Sequence, residues 1–121
     1  MNRYWDKLKE FEADGFEIIV DKSWEDCRIR DLFDDTCCDI EDLEAKVNRG
    51  DLDWFMLRAR VLLDGHELGE HICGGFLYED ATEVLRDGMA EDMIYGAMEE
   101  AKVEARRLVG SLNKVLDELA V

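Results

Sequence analysis

Acidic side chains are the commonest chemically active groups in this sequence, and they concentrate in two stretches that contain no Lys or Arg. The chain of 121 residues holds 31 Asp and Glu against 15 Lys and Arg, which gives a formal net charge of −16. The first stretch covers residues 31–44, and the second covers residues 61–85. The partner-binding candidates in these stretches are Asp31, Asp34, Asp35, Asp39, Glu41, Asp42, Glu44, Glu67, Glu70, Glu79, Asp80 and Glu83.

Such a density of carboxylates has two interpretations. Solvated acidic faces and helix caps keep a small protein soluble and need no partner. Acidic zones on a rigid domain can instead imitate nucleic-acid phosphates, because duplex DNA carries about one charge per 1.7 Å of its axis. A surface of this sign repels nucleic acid and anionic membranes, and it is steered toward cationic sites. The partner we expect is therefore a protein with a basic nucleic-acid-binding surface, and not a nucleic acid or a membrane.

Histidine and cysteine provide one candidate metal pair. His71 and Cys73 are two residues apart on one face of a predicted strand, with His66 in the turn nearby. The paired CxxC or HxxxH spacings of zinc sites are absent, and the acidic run 31–44 lacks the regular ladder of an EF-hand. No pattern places a histidine beside a Ser or Cys nucleophile. We expect no catalytic residue, metal or cofactor, and keep a metal-assisted enzyme using His71 and Cys73 as the alternative.

The four cysteines are expected to be reduced thiols. They are Cys27, Cys37, Cys38 and Cys73, and the sequence shows neither a signal-peptide pattern nor an apolar run long enough to span a membrane. We therefore expect the chain in the cytoplasm.

A β-hairpin is the best-defined element that would position these groups. Apolar residues alternate over residues 54–63, Asp64–Gly65 form a turn, and a return strand runs from about residue 67 to residue 78. Gly74–Gly75 predict a bulge or a close backbone approach more than a phosphate loop. The hairpin would then be scaffold, with its even-numbered face covered by a helix or a partner. That face carries Trp54, Met56, Arg58, Arg60 and Leu62.

The N-terminal region predicts one helix, one strand and one helical turn. The apolar spacing of Tyr4, Trp5, Leu8 and Phe11 predicts an amphipathic helix over residues 2–13. The segment "FEIIVD" predicts a short strand, and Ser23 predicts an N-cap for a helical turn over "WEDCRIRDLF".

The remaining segments predict helices. Asp39 opens one that closes at Gly50, and Asp80 opens a short one that closes at Gly88. The C-terminal segment predicts a helix of about 30 residues, or about 45 Å, which exceeds what a domain of this size needs to cover its sheet. Either this helix breaks near Gly110, or its tail packs on a second copy as a homodimer.

These elements assemble into an α+β fold. We expect one domain over residues 1–121, with an antiparallel sheet of about three strands built on the central hairpin. Helices, including the long C-terminal one, should pack mainly on one face.

Three segments contain a series of motifs in a fixed order. They are "SWEDCRIRDLFDD", "DIEDLEAKVNRGDLDWFMLRARVLLDGHELGEHICGGFLYEDATEVL" and "AEDMIYGAMEEAK". The motifs are a tryptophan-led strand, a DG turn, a GG pair and LYED. Over about residues 15–105 the chain therefore resembles a family of small acidic uncharacterised proteins encoded by bacteriophages and prophages, in which these motifs recur in that order. The resemblance implies a phage product made in the host bacterial cytoplasm. By analogy it implies an inhibitor of host defence, of the anti-CRISPR or anti-restriction type, or of a host nucleic-acid enzyme. The alternative is a homodimeric phage adaptor whose acidity only confers solubility.

Overall fold

The computed structural model describes residues 3–34, 36 and 39–120, and it has an α+β fold. Its sheet is antiparallel, and the strands lie in chain order, so that each strand is paired with the next. The sheet has four strands, one more than the sequence predicts. The strands are β1 (Asp6–Ala13), β2 (Phe16–Trp24), β3 (Asp53–Leu63) and β4 (His66–Tyr78). The helices are α1 (Ile29–Leu32), α2 (Ile40–Arg49), a 3₁₀ helix (Ala81–Arg86) and α3 (Gly88–Leu119).

The core lies between one face of the sheet and the first half of α3. Small residues on the helix let it approach the sheet closely, and a Cβ added to Gly69 of β4 would lie 2.2 Å from the carbonyl oxygen of Ala97. Strand β3 contributes the alternating residues that the sequence predicts to be buried. The buried residues of β3 and α3 are Phe55, Leu57, Ala59, Val61, Ala90, Met93, Ala97 and Ala101.

The predicted hairpin is confirmed in its strands, its turn and its bulge. Asp64 and Gly65 both have positive φ angles, 51° and 81°, which suits a two-residue turn between twisted strands. The pairing of β3 with β4 shifts register between Phe55 and Leu57, opposite Gly74–Gly75. Gly75 has a φ of +82°, and its N–H donates a hydrogen bond of 2.8 Å to the Glu25 carboxylate. The two glycines therefore form a bulge and allow the loop that carries Glu25 to approach the strand closely.

The predicted helix over residues 2–13 is wrong, because Asp6–Ala13 forms strand β1; residue 2 lies outside the described residues. The register between β1 and β2 shifts between Lys7 and Lys9, so Leu8 is an extra residue in the strand. This bulge resets the alternation, and Leu8 and Phe11 both pack against the core although they are three residues apart. A spacing of three is typical of a helix, which is why the sequence pattern was misleading.

The segment between β2 and β3 contains α1 and α2. The predicted helix from Asp39 to Gly50 is confirmed: the Asp39 side chain accepts a hydrogen bond from the Asp42 N–H, and Gly50 has a φ of 84°. The predicted N-cap at Ser23 is wrong, since Ser23 lies within β2 and its hydroxyl donates a hydrogen bond of 2.6 Å to the Tyr4 carbonyl. Strand β2 continues to Trp24 because that residue still pairs with Phe55 of β3. The helical turn is correspondingly short.

Helix α3 is continuous through Gly110, so the predicted break near this residue does not occur. The Asp87 side chain caps its first turn by accepting a hydrogen bond of 2.9 Å from the Met89 N–H. At about 1.5 Å per residue its 32 residues span about 48 Å. Residues 109–120 are all exposed, because the helix extends past the end of the sheet. We call residues 105–120 the projecting segment.

Candidate functional site: an acidic groove beside strand β4

The acidic residues of the first predicted patch are held largely by local interactions. Glu44 accepts hydrogen bonds from Arg28 at 2.9 Å and from Arg30 at 3.0 Å, which hold the pKa of its carboxyl below the usual value. Asp42 forms an ion pair of 3.0 Å with Lys46.

Three more acidic residues of this patch bind backbone or side-chain groups nearby. Asp31 accepts a hydrogen bond of 3.1 Å from the Arg28 N–H, and Asp34 accepts one of 2.5 Å from the Thr36 hydroxyl. Asp39 caps α2, and Glu41 is exposed on that helix. Asp35, together with Cys37 and Cys38, lies outside the described residues.

The second predicted patch is divided between the two ends of β4. Glu67 and Glu70 lie beside the β3–β4 turn, whereas Glu79, Asp80 and Glu83 follow the other end of the strand. About ten residues of strand separate these groups, which corresponds to about 33 Å. Asp80 caps the 3₁₀ helix by accepting a hydrogen bond of 3.0 Å from the Thr82 N–H.

Glu79 and Asp80 lie close to the end of α2. They line a cavity of about 560 Å³ together with Val47, Gly50 and other residues of that region. The structure therefore places these two acidic residues beside the C-terminal end of α2, in a cavity that none of the acidic residues 31–44 lines, and it leaves Glu67 and Glu70 in a separate place.

Glu67 and Glu70 form one wall of a groove between β4 and α3. The opposite wall is formed by Glu99, Glu100 and Glu104 of the helix, and the groove has a volume of about 550 Å³. The other lining residues are Leu68, Gly69 and Val103. We call this feature the acidic groove. Five of its eight lining residues are glutamates, and none is Lys or Arg.

The backbone contact between Gly69 and α3 produces the groove. Because Gly69 has no side chain, the helix lies directly on the edge strand. Glu67 and Glu70 are in register with Leu62 and Arg60 of β3, on the sheet face opposite α3, so the groove extends around the edge of β4 to the glutamates of the helix. Cations lie on both sides of the groove: Arg58 and Arg60 of β3 act on Glu67, and two more cations lie on the helix surface. Arg107 pairs with Glu104 at 2.5 Å, and Lys102 lies 3.5 Å from Glu99.

Crowding of negative charge within the groove affects the protonation of Glu67. Partial burial, the charge of Glu70 and a hydrogen bond with Glu70 raise the pKa of Glu67, and Arg60 and Arg58 oppose this shift. Glu67 thus lies within the field of Glu70 and also of Arg58 and Arg60. A cation placed in the groove would be attracted to the ionised form of these groups.

A buried charge cluster lies on the sheet face opposite α3. Asp21 is 3% exposed and accepts two hydrogen bonds from the Arg58 guanidinium, at 2.8 and 2.6 Å. Arg60 lies 3.4 Å from the same carboxylate, and the ring of Trp5 covers Arg58 at 4.0 Å. Burial lowers the pKa of Arg58, but hydrogen bonding to Asp21 and the charge of Asp21 leave it raised.

The cluster explains how the even-numbered face of the hairpin is covered. Trp5 lies over Arg58, and Phe33, next to α1, packs on Trp54 with 6.0 Å between ring centroids. The sequence predicts that a helix or a partner covers this face. In the structure, Trp5, which precedes β1, and Phe33, in the segment between β2 and β3, cover it. The hairpin therefore contributes both scaffold and charged groups.

The candidate metal pair does not form a site in the described residues. His71 packs against Gly96 of α3, and its Nε2 lies 3.4 Å from a Glu100 carboxylate oxygen. The thiol of Cys73 lies 3.7 Å from the Gly74 carbonyl oxygen. Within residues 3–34, 36 and 39–120, no group of three or more His, Cys, Asp or Glu is arranged to hold a metal ion.

Sequence reasoning found only the strand side of the groove. Glu99, Glu100 and Glu104 were missed because their helix also carries Lys102 and Arg107, so the segment did not stand out as free of basic residues. The sequence does contain a usable signal. A glycine in the strand, Gly69, together with small residues in α3 such as Ala97 and Ala101, indicates that this helix packs closely on the edge strand.

Comparison with protein-family models, curated proteins and solved structures gives no match in any of the three cases. The resemblance to phage proteins therefore stays a prediction. Among the described residues, no helix is long and apolar enough to cross a bilayer. Function has to be argued from the geometry and charge of the groove.

Proposed function

We propose that this chain is a non-enzymatic binding protein of phage type that occupies a basic, nucleic-acid-binding surface of a host protein through the acidic groove. The observation that carries the proposal is the convergence of five glutamates on one groove without a lining Lys or Arg. Host defence and nucleic-acid-processing proteins have surfaces of the required sign. Blocking such a surface inhibits the host protein without any chemical step.

The shape of the groove favours extended cationic side chains over a single ion. Its volume of about 550 Å³ is far larger than one metal ion needs, and its lining residues that are not glutamates are Leu68, Gly69 and Val103. Lys and Arg side chains have apolar stems and a charged head, so they match a groove lined by both apolar residues and carboxylates. A row of such side chains is typical of a phosphate-binding surface.

The net charge of the chain supports the same partner. A protein of charge −16 is attracted to a basic surface over distances comparable to the Debye length, about 8 Å at physiological ionic strength. The attraction increases the association rate and weakens as salt is added. Ionised Glu67 contributes to it, and because the pKa of this residue is raised, acidification should remove its contribution from a higher pH than for a carboxyl of ordinary pKa.

The test is a pull-down from bacterial lysate with the tagged chain at low salt and at about 0.5 M salt, a contrast that screens exposed charges. The groove variant is Glu67→Gln, Glu70→Gln, Glu99→Gln and Glu100→Gln. The matched control removes the same four charges elsewhere, through Glu41→Gln, Asp42→Asn, Glu79→Gln and Glu83→Gln. We expect a nucleic-acid-binding partner that is recovered at low salt, is displaced by duplex DNA, and is lost with the groove variant alone.

Three results would contradict the proposal. Loss of the partner with the control variant alone would assign binding to the patches around α2 and the 3₁₀ helix. Recovery that is equal at both salt concentrations would favour the adaptor alternative, in which acidity serves only solubility. A partner that binds this chain and duplex DNA at the same time would exclude mimicry of nucleic acid.

A further inference from the structure

The projecting segment of α3 has an apolar side that the described part of its own chain leaves uncovered. Leu112 is 58% exposed, Leu116 is 60% exposed and Leu119 is 75% exposed. Upstream of residue 105, the same side of the helix lies on the sheet and is buried. The apolar side therefore continues for about 24 Å beyond the surface that it covers, at 1.5 Å per residue.

The spacing of these residues is that of a coiled coil. Intervals of three and four residues alternate without interruption along the segment, which places the apolar groups at the a and d positions of a heptad. Val109 and Leu116 widen this stripe on one flank. The residues at the a and d positions are Ala105, Leu108, Leu112, Val115 and Leu119.

We propose that the projecting segment pairs in an antiparallel coiled coil with the projecting segment of a second copy of this chain. A two-fold pair uses the same patch on both copies, and a single heptad stripe is complementary to itself. If the exposed apolar side chains of this stripe became fully buried in the pair, about 500 Å² of accessible surface per copy would be removed from water. The total of about 1,000 Å² reaches the lower limit for a specific interface.

The distribution of charge supports a second copy as the occupant and fixes the direction of the pair. The projecting segment has a formal charge of +1, whereas the remainder of the chain carries −17. Arg106 and Arg107 lie at its start, and Asp117 and Glu118 lie near its end. Only an antiparallel arrangement places the basic start of each segment beside the acidic end of the other.

Repulsion between the domains favours the same arrangement. A parallel pair would bring two strongly acidic domains together at one end of the coiled coil. An antiparallel pair places the two domains at opposite ends of the coiled coil. Their centres would then be about 50 Å apart, which is the sum of about 24 Å of helix overlap and the radii of the two domains. One acidic groove would then lie near each end of the dimer.

Sedimentation equilibrium and solution scattering test this proposal with a matched pair of variants. Leu112→Glu places a carboxylate in the apolar stripe, and Asn113→Glu places the same group on the outer side of the helix. Both positions lie beyond the sheet, so neither change disturbs the core. We expect wild type and Asn113→Glu to be dimers at micromolar concentration, and Leu112→Glu to dissociate at least 100-fold more readily.

The outcomes are decisive in either direction. A dimer with two maxima in its pair-distance distribution, near the size of one domain and near 50 Å, supports the antiparallel arrangement. A wild-type chain that stays monomeric at about 0.1 mM overturns the proposal, as does a Leu112→Glu variant that remains fully dimeric. A compact dimer with a single maximum overturns the direction of pairing. None of these results depends on the partner-binding role of the groove.

Discussion

Replacing Asp21 by Asn should destabilise the domain strongly, because it leaves the Arg58 guanidinium buried without its counter-charge. The side chains of Asp21 and Arg58 are 4% and 14% exposed, and two hydrogen bonds join them. Removing one member of a buried ion pair typically costs 3–5 kcal/mol. Since Glu67 and Glu70 remain near Arg58 and offset part of the lost charge, we expect about 3 kcal/mol, at the lower end of this range.

This magnitude is large compared with the total stability of a small domain, which is about 5–15 kcal/mol. For 121 residues the entropy of unfolding is about 0.25 kcal/mol per kelvin, so the melting temperature should fall by about 12 °C. Urea unfolding followed by tryptophan fluorescence measures the change directly, because Trp5 lies over Arg58. The slope of the unfolding free energy against urea should not change.

A matched control and a double variant separate burial of charge from the simple loss of an ion pair. Asp26 also pairs with an arginine, Arg3, but its side chain is 60% exposed, so Asp26→Asn should cost less than about 1 kcal/mol. The double variant Asp21→Asn with Arg58→Gln should be more stable than Asp21→Asn alone, because no uncompensated Arg58 charge remains. If Asp21→Asn costs less than about 1 kcal/mol, the reasoning that this pair is desolvated is wrong.

Two further predictions concern the helix contact and one hydrogen bond. Gly69→Ala should lower the free energy of unfolding in urea by about 2 kcal/mol, because its Cβ would meet the backbone of α3. Gly96→Ala should change it by less than about 1 kcal/mol, since the His71 side chain can move and alanine favours the helix. Equal effects of the two variants would contradict the assigned contacts. The hydrogen bond to Asp87 and partial burial raise the pKa of Tyr78 to about 12. Because the folded-state pKa of Tyr78 is raised above the usual 10, the stability that this hydrogen bond contributes is fully present below pH 10 and is lost as the pH rises toward 12. Tyr78→Phe should remove that part of the pH dependence of the unfolding free energy.

The sequence was sufficient for elements whose boundaries are set by local chemistry. Asp64–Gly65, Asp39 and Gly50 each act through their own backbone conformation or side-chain cap, and all three predictions are confirmed. The strong alternation in β3 also identified its buried face, because Phe55, Leu57, Ala59 and Val61 belong to the core, although Leu63 at the end of the strand is exposed.

Elements that depend on distant pairing were not predictable from local pattern. The bulge at Leu8 makes a strand imitate helical spacing, and only the pairing of β1 with β2 shows the extra residue. The extension of β2 to Trp24 likewise depends on β3, which follows more than 25 residues later. The first of these errors accounts for the missing fourth strand.

For the same reason, only the β4 residues of the candidate site were predicted from the sequence. Glu67 and Glu70 were selected as members of one acidic stretch, but the groove that they line is also lined by glutamates of α3, about 30 residues further along the chain. The Asp21–Arg58 pair also joins residues 37 apart, and neither residue was assigned a role from the sequence. Charge density along a chain identifies candidates, but the register of the sheet decides which of them meet.

The position of Trp5 over the buried ion pair has a consequence for folding kinetics. Strand β1 is at the edge of the sheet and pairs only with β2, whereas most of the buried core belongs to β2, β3, β4 and α3. The ion pair becomes shielded from water only when the residues around Trp5 dock, which we expect late in folding, after the central strands have formed. Interactions that form after the transition state act mainly on the rate of unfolding. Asp21 should therefore set how long the native state persists more than how quickly it is reached.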